Sequence, residues 1–183
     1  LVPSSLRLPA PVNQGVRLLM DTSQKFESIA NRYASVIAEL NCGISEFNTF
    51  LAVIHQLPLI SSGNAATFTS ALDKPWGQQG WPSKDDPGVY VLCGRHDDEE
   101  GQLGVYIGKA SQQFIGHRLY AHLAPFRATG VYKRGRFIID TILAIPIKNH
   151  GARCIAVALE EFLIARGISG VTMLNTVGVK TDA

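Results

Sequence analysis

Two short apolar runs, Gly88-Val-Tyr-Val-Leu-Cys93 and Leu103-Gly-Val-Tyr-Ile-Gly-Lys109, flank a polar, acidic stretch, Gly94-Arg-His-Asp-Asp-Glu-Glu-Gly-Gln102. Both runs are rich in β-branched and aromatic residues and are bounded by glycine, the pattern of two strands of an antiparallel hairpin. A third run, Arg136-Phe-Ile-Ile-Asp-Thr-Ile-Leu-Ala-Ile-Pro-Ile147, is also strand-like, and Pro146 marks its end or a sheet edge. Helical spacing governs the segments around these runs. Ile115, Leu119, Leu123 and Phe126 form one stripe; Ile155, Leu159, Phe162 and Leu163 form another over Ala152 to Arg166, which stops at Gly167.

Nearer the start, residues 22 to 40 carry Phe26, Ile29, Tyr33, Val36, Ile37 and Leu40 at helical spacing, behind Thr22 and Ser23 as caps and ahead of Asn41-Cys-Gly43 as a stop. A second helical pattern runs from Ser45 through Phe47, Phe50, Leu51, Ile54 and Leu57 to Pro58, so the two predict a helical hairpin. Few cations lie here, which favours packing against the rest of the chain or a second copy over reading of a nucleic acid. From Ser61 to Pro87 the chain is turn-rich, with Pro75-Trp-Gly77 and Trp81-Pro82, a connector whose tryptophans pack on the core. The predicted class is α+β: a small mixed or antiparallel sheet flanked by helices over residues 81 to 183, preceded by an N-terminal helical extension and connector over residues 1 to 80.

Composition adds bounds. The chain has 183 residues, 46% of them hydrophobic, and a formal net charge of +2, which suits one or two small globular domains with a real core. Cys42, Cys93 and Cys154 are odd in number and lack CxxC spacing, which excludes a disulfide framework and a cysteine zinc site and points to a reducing compartment. The start, Leu-Val-Pro-Ser-Ser, has no initiator Met and no apolar signal core, and no stretch is long enough to cross a bilayer. The expectation is a trimmed form of a soluble cytoplasmic protein without a membrane partner.

Charge distribution says more than net charge. Between Glu100 and Asp140 there is no acidic residue, while Lys109, Arg118, Arg127, Lys133, Arg134 and Arg136 supply cations. Arg127, Lys133, Arg134 and Arg136 lie in one glycine-punctuated loop that suits a polyphosphate backbone, or else is a solvated charged face with counterions.

Several polar residues stand at positions where chemistry is expected. A tyrosine acting as a base at neutral pH needs positive charge nearby, because a phenol of pKa about 10 is deprotonated only about one part in a thousand. Lys109 and Arg118 are the candidates to supply it. Gly-Lys109-Ala-Ser resembles the end of a P-loop, but Leu103 stands where the first glycine belongs and Ala110 follows the lysine, so that reading is rejected. Arg118 and His122 lie one helical turn apart and can point together; taken alone, the arginine reads as a surface ion-pair residue and the histidine as a polar helix residue. Glu160 and Glu161 are adjacent, and periodicity alone does not choose between them. Asn175 lies in a turn, where asparagine often caps backbone.

Gly-Val-Tyr90 followed by Tyr106-Ile-Gly108, with Val89 in place of isoleucine, resembles the signature of the GIY-YIG nucleases. Arg118 with His122, Glu160 followed by Leu163-Ile164, and Asn175-Thr-Val177 follow in that family's order, over about residues 87 to 178. The likeness is closest to the GIY-YIG restriction endonucleases, and it implies a DNA endonuclease that hydrolyses phosphodiesters. In that frame Tyr90 is the base and Tyr106 orients water or phosphate. Lys109, Arg118 and His122 supply positive charge and phosphate contacts, and Asn175 holds substrate or a metal-bound water. The family register selects Glu160 as the ligand of one Mg²⁺ or Mn²⁺ per site, with Glu161 a solvated neighbour. A toxin, a repair or recombination nuclease, or a silent nucleic-acid-binding module are the alternative roles. One such constellation per chain cuts one strand at a time, so a restriction role implies a homodimer on duplex DNA, with residues 22 to 57 as the expected interface.

Overall fold

A computed structural model describes residues 27–67, 81–126, 129–148 and 152–176. Its centre is strand β2 (Gly88–His96), hydrogen-bonded on both sides and buried from Gly88 to Gly94. A strand covered on both faces reads as a continuous apolar run rather than an alternating one, which is what Val89 to Cys93 shows. On one side β2 pairs antiparallel with β3 (Leu103–Ala110), and on the other with β5 (Phe137–Pro146). Three strands of three residues complete the sheet. β4 (Tyr132–Arg134) pairs with the start of β5 and β1 (Ala65–Thr67) with its middle, and β6 (Val171–Met173) runs parallel to the start of β3. The fold is therefore α+β with a mixed sheet in the order β1-β5-β2-β3-β6.

Alternation along the strands divides the core into two layers. Val89, Val91, Cys93, Val105, Ile107, Leu143 and Ile145 face helices α1 (Ala34–Asn48) and α3 (Ala152–Arg166), whereas Tyr90, Leu92, Ile142 and Ala144 face α2 (Ile115–Leu123). The α2 stripe falls where spacing predicts, with Ile115, Leu119 and Leu123 buried and Phe126 partly buried after a final 3₁₀ turn. The first backbone N–H groups of α2 donate to the carbonyls of Asp86 and Lys84 at 2.8 and 2.9 Å, fixing the helix to the turn before β2. Among the described residues no helix is long and apolar enough to cross a membrane.

The expected helical hairpin at residues 22 to 57 is not formed. Residues 27 to 32 are helical, and α1 then runs straight through Gly43, the predicted stop. Gly43 is a close-approach point instead: a Cβ there would lie 2.8 Å from Leu163 Cδ2 on α3. After Asn48 the chain turns back in extended form rather than as a second helix, because two asparagine side chains outcompete helical backbone bonding. Asn48 takes the Leu57 N–H at 2.8 Å and donates to its carbonyl at 3.0 Å, and Asn41 takes the Ile60 N–H at 2.8 Å. The stripe from Ile29 to Phe47 is consequently buried within the chain and shares one core with the sheet, so it is not available as the expected dimer face. Phe50 and Ile54, assigned to the second helix, are 73% and 76% exposed. Trp81 packs in the α2 layer, whereas Thr22, Ser23, Phe26 and the Pro75-Trp-Gly77 turn lie outside the described residues.

A bulge in β5 locks α1 to the sheet. Cys93 pairs with Thr141 and Gly94 with Ile139, so Asp140 is the extra residue and shares the α1 face with Thr141. That re-aimed carboxylate accepts from the Tyr33 hydroxyl at 2.6 Å, Arg32 at 3.0 Å and Arg95 at 3.2 Å. Tyr33 is fully buried, and its phenol is pushed far up by burial and then by the hydrogen bond to Asp140. Removing the acceptor leaves a buried donor without a partner. Asp140→Ala is expected to lower the unfolding free energy by about 1.5–3 kcal/mol, the cost of losing a hydrogen bond to a charged group; urea denaturation with an unchanged slope would measure it.

Candidate active site

The pairing of β2 with β3 sets Tyr90 opposite Gly108 and Leu92 opposite Tyr106, so both tyrosines point to the α2 face. Tyr90 is fully buried there because Gly108 leaves room for its ring: a Cβ at Gly108 would lie 2.5 Å from the tyrosine Cζ and Oη. The hydroxyl has no hydrogen-bond partner of good geometry. Burial pushes its pKa up, the neighbouring Tyr106 adds to this, and Arg118 works against it. In the free protein burial therefore favours the protonated phenol, with Arg118 the neighbouring charge that favours the phenolate.

His122 completes a triangle with the tyrosines. Its ring centroid is 6.2 Å from each, and the tyrosine centroids are 6.3 Å apart. His122 Nε2 is buried and also lacks a partner. Arg118 lies one turn before it on α2, and Arg134 enters from β4 with its guanidinium carbon 3.7 Å from the Tyr106 ring centre. Loss of solvation, then Arg118, then Arg134 hold the His122 imidazolium pKa below its ordinary value, so the ring is neutral at pH 7.

The other candidates lie on the opposite face of β3 or along its edge. Lys109 follows Gly108 and so points away from Tyr90, toward α3, where its ammonium forms an ion pair with Glu160. It does not supply charge to Tyr90 as expected; Arg118 does. The helix resolves the ambiguity at residues 160 and 161, since Glu160 faces the sheet and Glu161 is exposed. Asn175 accepts from the Ile107 N–H at 2.9 Å and donates to the Ile107 carbonyl, so it pairs with the β3 edge beyond β6 instead of pointing a vacant amide at substrate.

The basic loop is largely counterbalanced. Lys133 pairs with Asp97 at 3.1 Å and Arg136 with Asp98 at 3.7 Å, which is the counterion reading of those two positions; the Asp97 carboxyl is held below its usual range by Lys133. Arg127 lies outside the described residues. Arg134 alone of the described cations in that loop faces the tyrosines. The signal for its position was a glycine between Tyr132-Lys-Arg134 and Phe137, a hairpin turn that Gly135 makes at φ 60°.

No protein-family model, no curated protein and no solved structure gives a significant match to the chain. The fold and the site define an α+β protein whose sheet carries a buried tyrosine–histidine cluster beneath two arginines.

The titration of His122 follows from its burial and from its charged neighbours, Arg118 on α2 and Arg134 on β4. Its folded pKa lies below the unfolded one, so stability is full above about pH 6.5 and is lost as pH falls toward the lower folded value. NMR of the ring protons is expected to place its midpoint below that of a free imidazole, and Arg118→Ala is expected to move it up. A midpoint unmoved by that substitution would contradict the charge argument.

Proposed function

We propose that the chain is a metal-dependent DNA endonuclease of the GIY-YIG type, hydrolysing phosphodiesters by in-line attack of water. One observation carries this reading: the Tyr90 hydroxyl and His122 Nε2 are buried without a hydrogen-bond partner of good geometry, in the field of guanidinium groups that no described carboxylate neutralises. Unpaired buried polar atoms cost stability unless a ligand completes them, and two such cations call for an anion with several oxygens. A phosphate in the nucleic-acid backbone meets that description, and the signature of the hairpin supports the same chemistry.

The protonation states distribute the roles. Tyr90 keeps its proton and donates it to a phosphate oxygen. His122 is neutral with a vacant Nε2, so it takes the proton of the attacking water, and Arg118 stabilises the growing phosphoryl charge. Glu160 is the residue that would hold the divalent ion. Glu160 is a single carboxylate, so an ion held there would be one hydrated Mg²⁺ or Mn²⁺ completed by water and substrate oxygens; among the described residues no three His, Cys, Asp or Glu side chains converge. When bound, such an ion withdraws charge from the scissile phosphate. Lys109 holds the same carboxylate in the free protein and must yield it or share it.

Supercoiled plasmid with Mg²⁺ tests this reading. Glu160→Ala is expected to abolish cleavage and spare DNA binding, while Glu161→Ala stays close to wild type; equal loss at both would sink the assignment. Arg118→Ala should slow single-turnover cleavage about 100- to 1000-fold. The pH–rate profile separates the two candidate bases. With His122 as base the rate climbs from acid through a midpoint below about pH 6.5 and is flat above neutrality, whereas a Tyr90 base would keep it rising toward pH 10. Each chain carries one such cluster, so a lone copy yields nicked circle before linear DNA, and concerted double-strand cutting requires a second copy.

A further inference from the structure

Arg134 differs from the residues beside it. Lys133 and Arg136 are paired with Asp97 and Asp98, and Arg95 and Lys109 on the neighbouring strands are paired with Asp140 and Glu160. No described carboxylate lies within 4.0 Å of Arg134, although it is only partly exposed. Its guanidinium is held in place by two contacts. Cζ lies over the Tyr106 ring, 3.7 Å from its centre, and Nε donates to the Leu174 carbonyl at 3.3 Å. Both terminal nitrogens, with four N–H donors between them, have no hydrogen-bond partner among the described residues. A partly buried arginine held over a ring and tethered at Nε, with its fork vacant, is preorganised for a bidentate anion, since little side-chain entropy remains to be lost when the anion arrives.

The cluster beneath it is the one described above. Tyr106 meets His122 edge to face and carries Arg134 over its ring, and Arg134 is close enough to His122 to disfavour its protonation. Arg118 reaches the same histidine from α2. Two guanidinium groups from different elements therefore converge on one tyrosine–histidine cluster.

We propose that Arg134 is a second phosphate-binding catalytic residue, acting with Arg118 as a two-arginine clamp on the scissile phosphate, and that Tyr106 is the platform that positions it. The proposal rests on the nuclease reading and adds to it a residue from the β4–β5 hairpin. It also gives Tyr106 a role distinct from that of Tyr90: one ring carries a cation on its face, the other presents a hydroxyl.

Single-turnover cleavage of supercoiled plasmid with Mg²⁺, alongside duplex binding with Ca²⁺ in its place, tests both parts. Arg134→Gln is expected to slow cleavage about 100- to 1000-fold, the usual effect of removing one preorganised transition-state donor, while binding weakens less than about tenfold. Arg134→Lys keeps the charge but not the fork or the stacked plane, and it should recover only part of the rate. Arg153→Gln, which removes an exposed cation of α3, controls for net charge and should stay within about threefold of wild type. Tyr106→Leu should cost as much as Arg134→Gln, and the double variant no more than either alone, because both remove the same placed guanidinium. If Arg134→Gln cuts within threefold of wild type while Arg118→Ala is slow, Arg134 is a surface stack and the clamp is wrong, with the nuclease reading intact. If the two losses multiply in the double variant, Tyr106 is not the platform. If the wild-type chain does not cut, the nuclease reading falls and the clamp falls with it.

Discussion

β2 is hydrogen-bonded along both edges and covered on both faces, so each of its side chains has to fit one of two packed layers. Val89, Val91 and Cys93 meet that demand as small apolar residues against α1 and α3. Tyr90 does not. A phenol at the centre of a sheet brings a hydroxyl into a layer of Leu92, Leu119 and Ile142, and that hydroxyl has no partner of good geometry. The strand tolerates the ring because Gly108 lies opposite, and the ring then defines the floor on which Tyr106, His122 and Arg134 assemble. A polar group held in this way against its own stability is what a ligand site requires.

Electrostatics sorts the cations of the molecule into two kinds. Those at the hairpin tips and on the α1 face are neutralised: Lys133 and Arg136 by the acidic β2–β3 loop, Arg32 and Arg95 by Asp140, Arg166 by Glu39 and Glu46. Such exposed pairs contribute little to stability, but they cancel the long-range field of the basic segment. Among the described residues Arg118 and Arg134 are the cations that act on His122, and neither is paired with a described carboxylate. Their field is local to the tyrosine–histidine cluster.

Much of this was legible in the sequence where local pattern and tertiary demand agree. The runs at β2, β3 and β5 and the stripes of α2 and α3 announce themselves because each is long enough to be fixed by its own burial. β1, β4 and β6 are three residues each and exist only because a longer strand offers them a partner, so no periodicity marks them. Gly43 reads as a helix stop when only propensity is considered; its actual role, admitting Leu163, depends on a helix more than a hundred residues away. The bulge at Asp140 is invisible for the same reason, since it is defined by the register of β2 against β5. Within the site, the motif order named Tyr90, Tyr106, Arg118, His122 and Glu160, but it could not assign faces. Strand parity sends Lys109 to Glu160 and leaves Arg118 facing Tyr90, and the edge pairing of Asn175 with Ile107 needs the fold to be seen.

Parity also constrains how the proposed reaction would be organised. The tyrosine–histidine cluster and the Lys109–Glu160 pair lie on opposite faces of one strand: Lys109 is next to Gly108, which lies opposite Tyr90, and three residues beyond Tyr106. A single phosphate can engage both only by approaching the β3 edge, where the face-to-face separation is no more than the thickness of the backbone. β6 covers that edge as far as Val105, and Asn175 satisfies it at Ile107. Past this point no described strand competes for the edge, which is where Gly108 and Lys109 lie. The asparagine thus does for the strand what a seventh strand would do, pairing its N–H and C=O, while occupying far less space. A full strand there would close the edge; a single side chain terminates the pairing, and among the described residues no further element pairs with the edge at Gly108 and Lys109.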